Sequence, residues 1–413
     1  MDDHDPGGDK AGMKFIVAQI GARRSYAVPA ILEKAGMLER FYTDAVGGGG
    51  LMGLASAATG QGGKRLAGRR LPANIRQSTR TFPRITLPRA LKRKVRPLGA
   101  VEAYREAIEF DDALGHAMVR SGFGEATHVY SMLGECAPLL VAAKERGLTV
   151  VSEIYILLST ERILAEERKQ FPGWEPEAPD YTALRRDLGR EDVLLTRSDF
   201  AMCPSEAVRA DLVKNFGFDQ TRTAVVPYGM DPALLSIKTD PVPGRILFAG
   251  TADLRKGIHY LAMAAGKLHA RGLGCEFRIA GNVQSSVANQ NECRHLNFLG
   301  RVPREGMAAE FAAADVFVLP SLAEGSAEAT YEALACGVPV VTTAEAGSVV
   351  RNRIDGLIVP ARDADALANA ISEIVDDREK RRAMARAARQ RAAEFTWEKY
   401  GERLVATLKA FGR

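Results

Sequence analysis

No apolar run in the 413-residue sequence reaches the roughly 18 residues that a membrane span requires, so transmembrane helices are not expected. The five cysteines (Cys136, Cys203, Cys275, Cys293, Cys336) are scattered and odd in number, with no CxxC pair. That pattern argues against a zinc site or a disulfide framework and fits a reducing cytoplasm. None has a patterned histidine partner, so none is expected to be a catalytic thiol. The opening residues MDDHDPGGDKAG lack the basic and apolar regions of a secretory signal. They read as a loose tail before a strand that opens at Met13, which stands beside Met1 as a possible start. Acidic residues are absent from 45 to 101, a stretch that holds twelve Lys or Arg. With a net charge of +5 overall, the rest of the chain is therefore net acidic, and the basic character is local.

What is present is ordinary globular composition, with 46% hydrophobic and 26% charged residues. The length suits two α/β domains better than one core. MKFIVAQIG (13–21), THVYSML (127–133), LTVVSEIYI (148–156), SDFAMCPS (198–205) and TAVVPYG (223–229) read as strands. VPAILEKAGMLE, PLLVAAKERG and EAVRADLVKNFG read as the helices among them. SIKTDPVPG (236–244) has two prolines, a glycine and no periodicity, which marks a linker. A second series of strands follows: RILFAG, EFRIAG, LNFLG, DVFVLPS, VPVVTT and GLIVPA, starting at residues 245, 276, 296, 315, 338 and 356. Alternating strands and helices imply parallel sheets with helices on both faces. The expected fold class is α/β, with two Rossmann-like, doubly wound domains at 13–235 and 244–395 facing a central cleft. Ligands of open parallel sheets sit outside the carboxyl ends of the strands, so chemistry is sought just after each strand.

The densest such signal is DVFVLPSLAEGSAEATYEALACGVPVVTT (315–343). A buried strand runs into a glycine-containing loop, then a helix, then a second buried strand. Glu324 falls in the loop and Glu332 in the helix. Unpaired N–H groups at the helix start suit a phosphate, and a carboxylate beyond them can accept from sugar or ribose hydroxyls. ILFAGTADLRKGIHYL (246–261) is a second strand, loop and helix start, carrying Arg255 and Lys256. Cations at a helix start oppose its dipole, which favours a ligand-binding role over a solvated pair.

Together these segments resemble glycosyltransferase family 4, the group 1 transferases of the GT-B fold, in which Glu324 and Glu332 match the E-x7-E motif. SDFAMCPSEAVRADLV (198–213), VVPYGMD (225–231), NFLGRVPREGMAAEFAAADVFVLPS (297–321) and FTWEKYGERL (395–404) resemble other family stretches in the right order. The resemblance is specific from Ser198 onward, and it implies that the last helix (396–413) packs back on the first domain. It implies a retaining transferase that moves a sugar from a UDP- or GDP-sugar to a glycan or lipid-linked acceptor, in cell-surface polysaccharide or glycolipid synthesis. It makes Glu324 the catalytic contact to the donor sugar and Glu332 the ribose ligand. Lys256 and Arg255 would hold the diphosphate, aided by Gly325, Ser326 and the backbone to 330. Gly250, Thr251 and Gly21 would lie against the donor phosphates, and Arg301 and Val302 against the base. Thr251 stands where the family commonly has Arg, and no His follows LTVVSEIYI. Glu153 and Tyr155 are the polar residues at that edge and are candidates for the acceptor. Neither cofactor nor metal is implied. A non-catalytic scaffold and a same-fold nucleotide-sugar epimerase are the alternatives.

Two further patterns read as ordinary structure. Asp363 and Asp365 form a D-x-D at the start of a helix, where acidic caps are expected. Gly48, Gly50 and Gly53 match G-x-G-x-x-G but have no acidic residue about 20 positions on, as a redox dinucleotide site needs. The basic stretch carries a single aromatic, Phe82, so nucleic acid is not an expected partner. Leu66, Leu71, Ile75, Ile85, Leu87, Leu91 and Val95 interleave with its cations (64–96), which suits an anionic membrane surface. The expected location is cytoplasmic, with a peripheral contact at the inner face of the plasma membrane.

Overall fold

In the computed structural model the described residues are 12–47, 69–95, 97–190 and 192–411. Seven strands form the first sheet: β1 (Phe15–Ala18), β2 (Leu38–Thr43), β3 (Thr79–Thr81), β4 (His128–Met132), β5 (Thr149–Glu153), β6 (Phe200–Cys203) and β7 (Thr223–Val225), in the order β3-β2-β1-β4-β5-β6-β7. The ladders β1–β2, β1–β4, β2–β3 and β4–β5 are parallel. Six strands form the second sheet: β8 (Arg245–Ala249), β9 (Glu276–Ala280), β10 (Leu296–Gly300), β11 (Val316–Leu319), β12 (Val340–Thr343) and β13 (Gly356–Val359). Its order is β10-β9-β8-β11-β12-β13, and its ladders are parallel.

Helices on both faces explain why the central strands are near-continuous apolar runs. All four residues of β1, of β11 and of β12 are buried. In each sheet the order reverses between two adjacent central strands, β1 and β4 in one and β8 and β11 in the other. The loops leaving those strand pairs carry the ligands of doubly wound folds.

Most strands and helices fall where the sequence places them, with one correction. The helix expected over VPAILEKAGMLE ends at Lys34, and its last residues open β2 instead. Gly36 adopts φ +69°, and Met37 N–H bonds back to Leu32 O (2.8 Å). This left-handed cap stops the helix.

The chain divides into two compact units. Met1–Glu153, Arg190–Ala201 and Val405–Arg413 make up the first; Ile154–Gly189 and Met202–Leu404 make up the second. This grouping differs from the expected boundary near 235: 154–189 and 202–235 fall in the second unit, although β7 and the end of β6 lie in the first sheet. The bonds responsible include Ser205 Oγ to Gly325 O (2.5 Å) and Met230 N to Phe395 O (2.8 Å). The final helix, Trp397–Phe411, is shared, its end from Val405 grouping with the first unit.

Within the second unit, the helix Thr160–Gln170 is fastened by the buried carboxylate of Glu167. One oxygen meets His259 Nε2 (2.9 Å) and accepts from Tyr260 OH (2.7 Å), and the other accepts from Arg362 Nε (2.8 Å). Nearby, Glu175 accepts from the backbone N–H of Leu254 (2.8 Å). No helix among the described residues is long and apolar enough to cross a membrane.

Candidate active site

The loop after β8 and the loop after β11 meet at the switch point of the second sheet. Leu322 N–H donates to Arg255 O (2.8 Å). Gly257, with φ +71°, lies so close to the β11 end that a Cβ would come within 2.0 Å of Pro320 O. No side chain fits there, which is why a glycine precedes the helix Ile258–Ala270.

This approach brings three charges together. Lys256 Nζ bonds to Glu324 Oε1, and Arg255 pairs with the same oxygen at 2.5 Å while donating to Ala323 O (3.2 Å). Lys256 and Glu324 are each 13% exposed, so their pairing is only partly screened by solvent. Asp253 accepts from Lys256 N–H (2.9 Å), turning the loop back on itself. Gly250 passes directly beneath the lysine stem: a Cβ there would lie 2.8 Å from Lys256 Cε.

The Glu324 loop is fixed from behind. Besides the Ser205 bond to Gly325 O, Glu324 N–H donates to Glu345 O (3.0 Å) and Ala327 N–H to Ala346 O (3.1 Å). Ser326 Oγ donates to Gly347 O (2.9 Å) and accepts from Tyr331 OH (2.8 Å). A Cβ on Gly325 would sit 1.8 Å from Tyr155 O. These contacts tolerate little movement of the loop.

In front lies a cavity of about 440 Å³, lined by Gly250, Lys256, Glu324, Ser326, Glu328 and Glu332 with small or flexible apolar neighbours such as Ala280 and Met307. The helix Glu328–Ala335 opens on it. Burial pushes the Glu332 carboxyl up to about 7, with repulsion from Glu328 one turn earlier adding to it. At pH 6 Glu332 is therefore mostly protonated, and at pH 8 mostly ionised. A ligand whose hydroxyls donate to that carboxylate needs the ionised form. Its affinity should rise about tenfold from pH 6 to pH 8, following the ionised fraction. Calorimetric Kd values for nucleoside diphosphates at both pH values test this. The pH dependence should vanish in Glu332→Gln beyond what the phosphates themselves contribute.

The structure thus brings together Gly250, Lys256, Glu324, Ser326 and Glu332, with Arg255 and Gly325 in the same loops. Thr251 and Arg301 are exposed beside those strand ends, and Val302 packs against the core; none of the three lines the cavity. Gly21 belongs to the first unit. Glu328 and Met307, which line the cavity, and Ser205, behind it, were visible only as parts of quoted stretches, with no side-chain role assigned. Asp363 caps its helix by accepting from Ala366 N–H (2.8 Å), and Asp365 pairs with Lys267 (2.8 Å). The Gly48, Gly50 and Gly53 pattern lies outside the described residues.

The first unit has its own polar cluster at the switch point between β1 and β4. Arg23 pairs with Glu135 (2.6 Å), Arg24 with Glu153, and Arg69 with Asp44 (2.7 Å). Gly21 N–H donates to Asp44 (2.8 Å), and Tyr130 OH occupies the second oxygen of Glu153 (2.7 Å). Arg24, Ser25 and Tyr26 all have positive φ (44°, 50° and 64°). Such backbone costs about 1–3 kcal/mol per residue and concentrates at ligand sites.

Comparison with known proteins fits this geometry. Residues 243–377, which hold both loops of the cavity, match the family described as glycosyl transferases group 1. That stretch of the second unit is thus similar to group 1 glycosyl transferases. The D-inositol 3-phosphate glycosyltransferase of Corynebacterium urealyticum is 29% identical over 243 residues, covering 52% of this chain and 57% of that protein. The glycogen synthase of Mycobacterium tuberculosis is 26% identical over 311 residues, 69% of this chain and 72% of that one. The chain thus spans less than two thirds of the first of these relatives. Among solved structures, Anabaena HepE in complex with UDP and glucose superposes with a TM-score of 0.64 at 17% identity, over 96% of this chain and 100% of the other. The two parallel sheets are those of the GT-B glycosyltransferase fold.

Proposed function

We propose that this chain is a group 1 glycosyl transferase, which moves a sugar from a UDP- or GDP-sugar to a glycan or lipid-linked acceptor with retained anomeric configuration. The observation that carries the reading is the clasp of Lys256 and Arg255 on Glu324, in one cavity with Glu332, at the switch point of the second sheet. A nucleoside diphosphate leaving group develops negative charge that must be neutralised. Lys256 and Arg255 supply the cations, and the start of the helix Glu328–Ala335 adds backbone N–H groups. Glu332 accepts from the ribose and Glu324 from the donor sugar. The leaving phosphate serves as the base for the acceptor hydroxyl, and no metal is assigned a step. The acceptor is assigned to the first unit, beside Arg23, Arg24 and the strained turn. The UDP bound by the Anabaena protein supports a uridine nucleotide. The chain is assigned to the cytoplasm and to synthesis of a surface polysaccharide or glycolipid, and nucleic acid is not proposed as a partner.

A thermal-shift screen with UDP, GDP, ADP and their sugars, on wild type and Glu332→Ala, tests the donor assignment. A ligand at 100 times its Kd should stabilise the protein by about 2.7 kcal/mol. A shift for one nucleotide, weakened in the variant, supports the assignment. No shift with any nucleotide would move the scaffold reading to the front.

A further inference from the structure

Six large hydrophobic residues are exposed among the described residues, and four fall between 87 and 101: Leu87 (37%), Leu91 (63%), Val95 (79%) and Val101 (40%). The first three lie on the helix Pro83–Val95 at i, i+4 and i+8. At about 100° per residue they form one stripe about 80° wide. The opposite face is firmly seated. Phe82 and Ile85 pack on the core of the first unit. Arg89 stacks over the Phe110 ring (3.8 Å) and pairs with Glu106 (2.9 Å), which Arg93 also engages (3.0 Å). The helix is thus oriented by its inner contacts, and the stripe points to solvent by construction. Arg84 lies on the stripe's own side and Lys92 flanks it; both are exposed, and no acidic residue occurs from 45 to 101.

Three occupants suit this face unequally. A second copy across a two-fold axis would bring Arg84 and Lys92 against their own counterparts. Nucleic acid finds no exposed ring on which to stack, since Phe82 is turned to the core. An anionic leaflet satisfies both halves of the pattern: aliphatic side chains enter the acyl boundary while cations stay at headgroup depth. We propose that the helix Pro83–Val95 docks the protein on an anionic lipid surface, inserting Leu87, Leu91 and Val95 between headgroups that Arg84 and Lys92 neutralise.

Flotation of the full chain with phosphatidylcholine vesicles, with and without phosphatidylglycerol, tests this independently of any glycosyl transfer. The protein should float with the anionic vesicles only, and high salt should weaken the association. Leu87→Ser/Leu91→Ser/Val95→Ser should lower the partition coefficient at least about tenfold. Arg84→Ser/Lys92→Ser should lower it roughly fivefold per cation at low salt. Being solvent-facing, both variants should keep the wild-type Tm. Absence of flotation with anionic vesicles would overturn the proposal. So would flotation that the stripe variant leaves unchanged, or a concentration-dependent dimer in sedimentation that the same variant abolishes.

Discussion

Replacing Lys256 with Ala should lower kcat/KM about 10²–10³-fold, the usual effect of removing one donor aimed at developing charge. In the resting site Lys256 and Arg255 share one oxygen of Glu324, so the cations proposed for the diphosphate and the carboxylate proposed for the donor sugar are held together before any ligand arrives. That preorganisation matters because reorienting a charge during the reaction costs free energy that a fixed charge does not. Charge on the diphosphate grows as the glycosidic bond breaks, so the loss should fall mainly on kcat and less on KM. Arg255 donates to Ala323 O as well, which anchors it and leaves it poorly placed to replace the missing ammonium. Lys256→Arg restores charge but swaps a compact ammonium for a planar fork above Gly250, where the stem already packs closely. Partial recovery is expected. The assay is steady-state kinetics with the nucleotide-sugar found by thermal shift, alongside a Tm to show that the variant folds. A change in KM alone would make Lys256 a ground-state contact, and less than about threefold on either parameter would remove it from the chemistry.

The two cavity loops were legible in the sequence because their signals are local. Val316–Leu319 and Val340–Thr343 are continuous apolar runs, as strands covered on both faces must be, and each is followed by its loop within a few residues. Glu324 and Lys256 could therefore be placed just after strand ends, and Glu332 on the helix that follows, by counting. What holds them there could not. Ser205 reaches Gly325 across 120 residues of chain, and Glu175 reaches Leu254 across 79. Neither leaves a trace in periodicity, since a serine after a strand and a glutamate in a loop are ordinary. The same holds for Glu328, which reads as a favourable first-turn acid until the fold turns it into the repulsive neighbour of Glu332. Strands β2 and β3 were missed for a different reason. TRT is short and without a buried residue, and LERFYT follows its helix after only three residues, so the helical pattern ran through Gly36 into it.

Glu167 is the least advertised of these distant braces, and its loss should be costly. Glu167→Ala is expected to destabilise the protein by about 3 kcal/mol, the lower end of the range for breaking a buried pair, because Arg362 is partly solvated. The carboxylate is fully buried and satisfies three groups, two of them in the helix that begins just after Lys256. Removing it leaves Tyr260 OH and His259 Nε2 without this partner, and His259 Nδ1 already has no hydrogen-bond partner in the structure. Burial holds the His259 imidazole below its usual pKa, so the neutral ring donates through Nε2 and cannot replace the lost charge. The Glu167 carboxyl itself is lowered to about 2: burial pushes it up, but the bonds from His259, Tyr260 and Arg362 together outweigh that. The sign follows directly. A depressed carboxyl stabilises the fold above its ordinary pKa, near 4.5, and that stability is lost as pH falls toward 2. Urea unfolding at pH 7 and again near pH 3 should show a gap between wild type and Glu167→Gln that narrows at the lower pH. A gap below about 1 kcal/mol at pH 7 for Glu167→Ala would mean that the helix Thr160–Gln170 is held by its apolar contacts alone. If the gap is as large as expected, slower donor turnover at unchanged acceptor KM should accompany it, because the Lys256 loop and its helix would have lost one of the two carboxylates, Glu167 and Glu175, that reach them from 154–189.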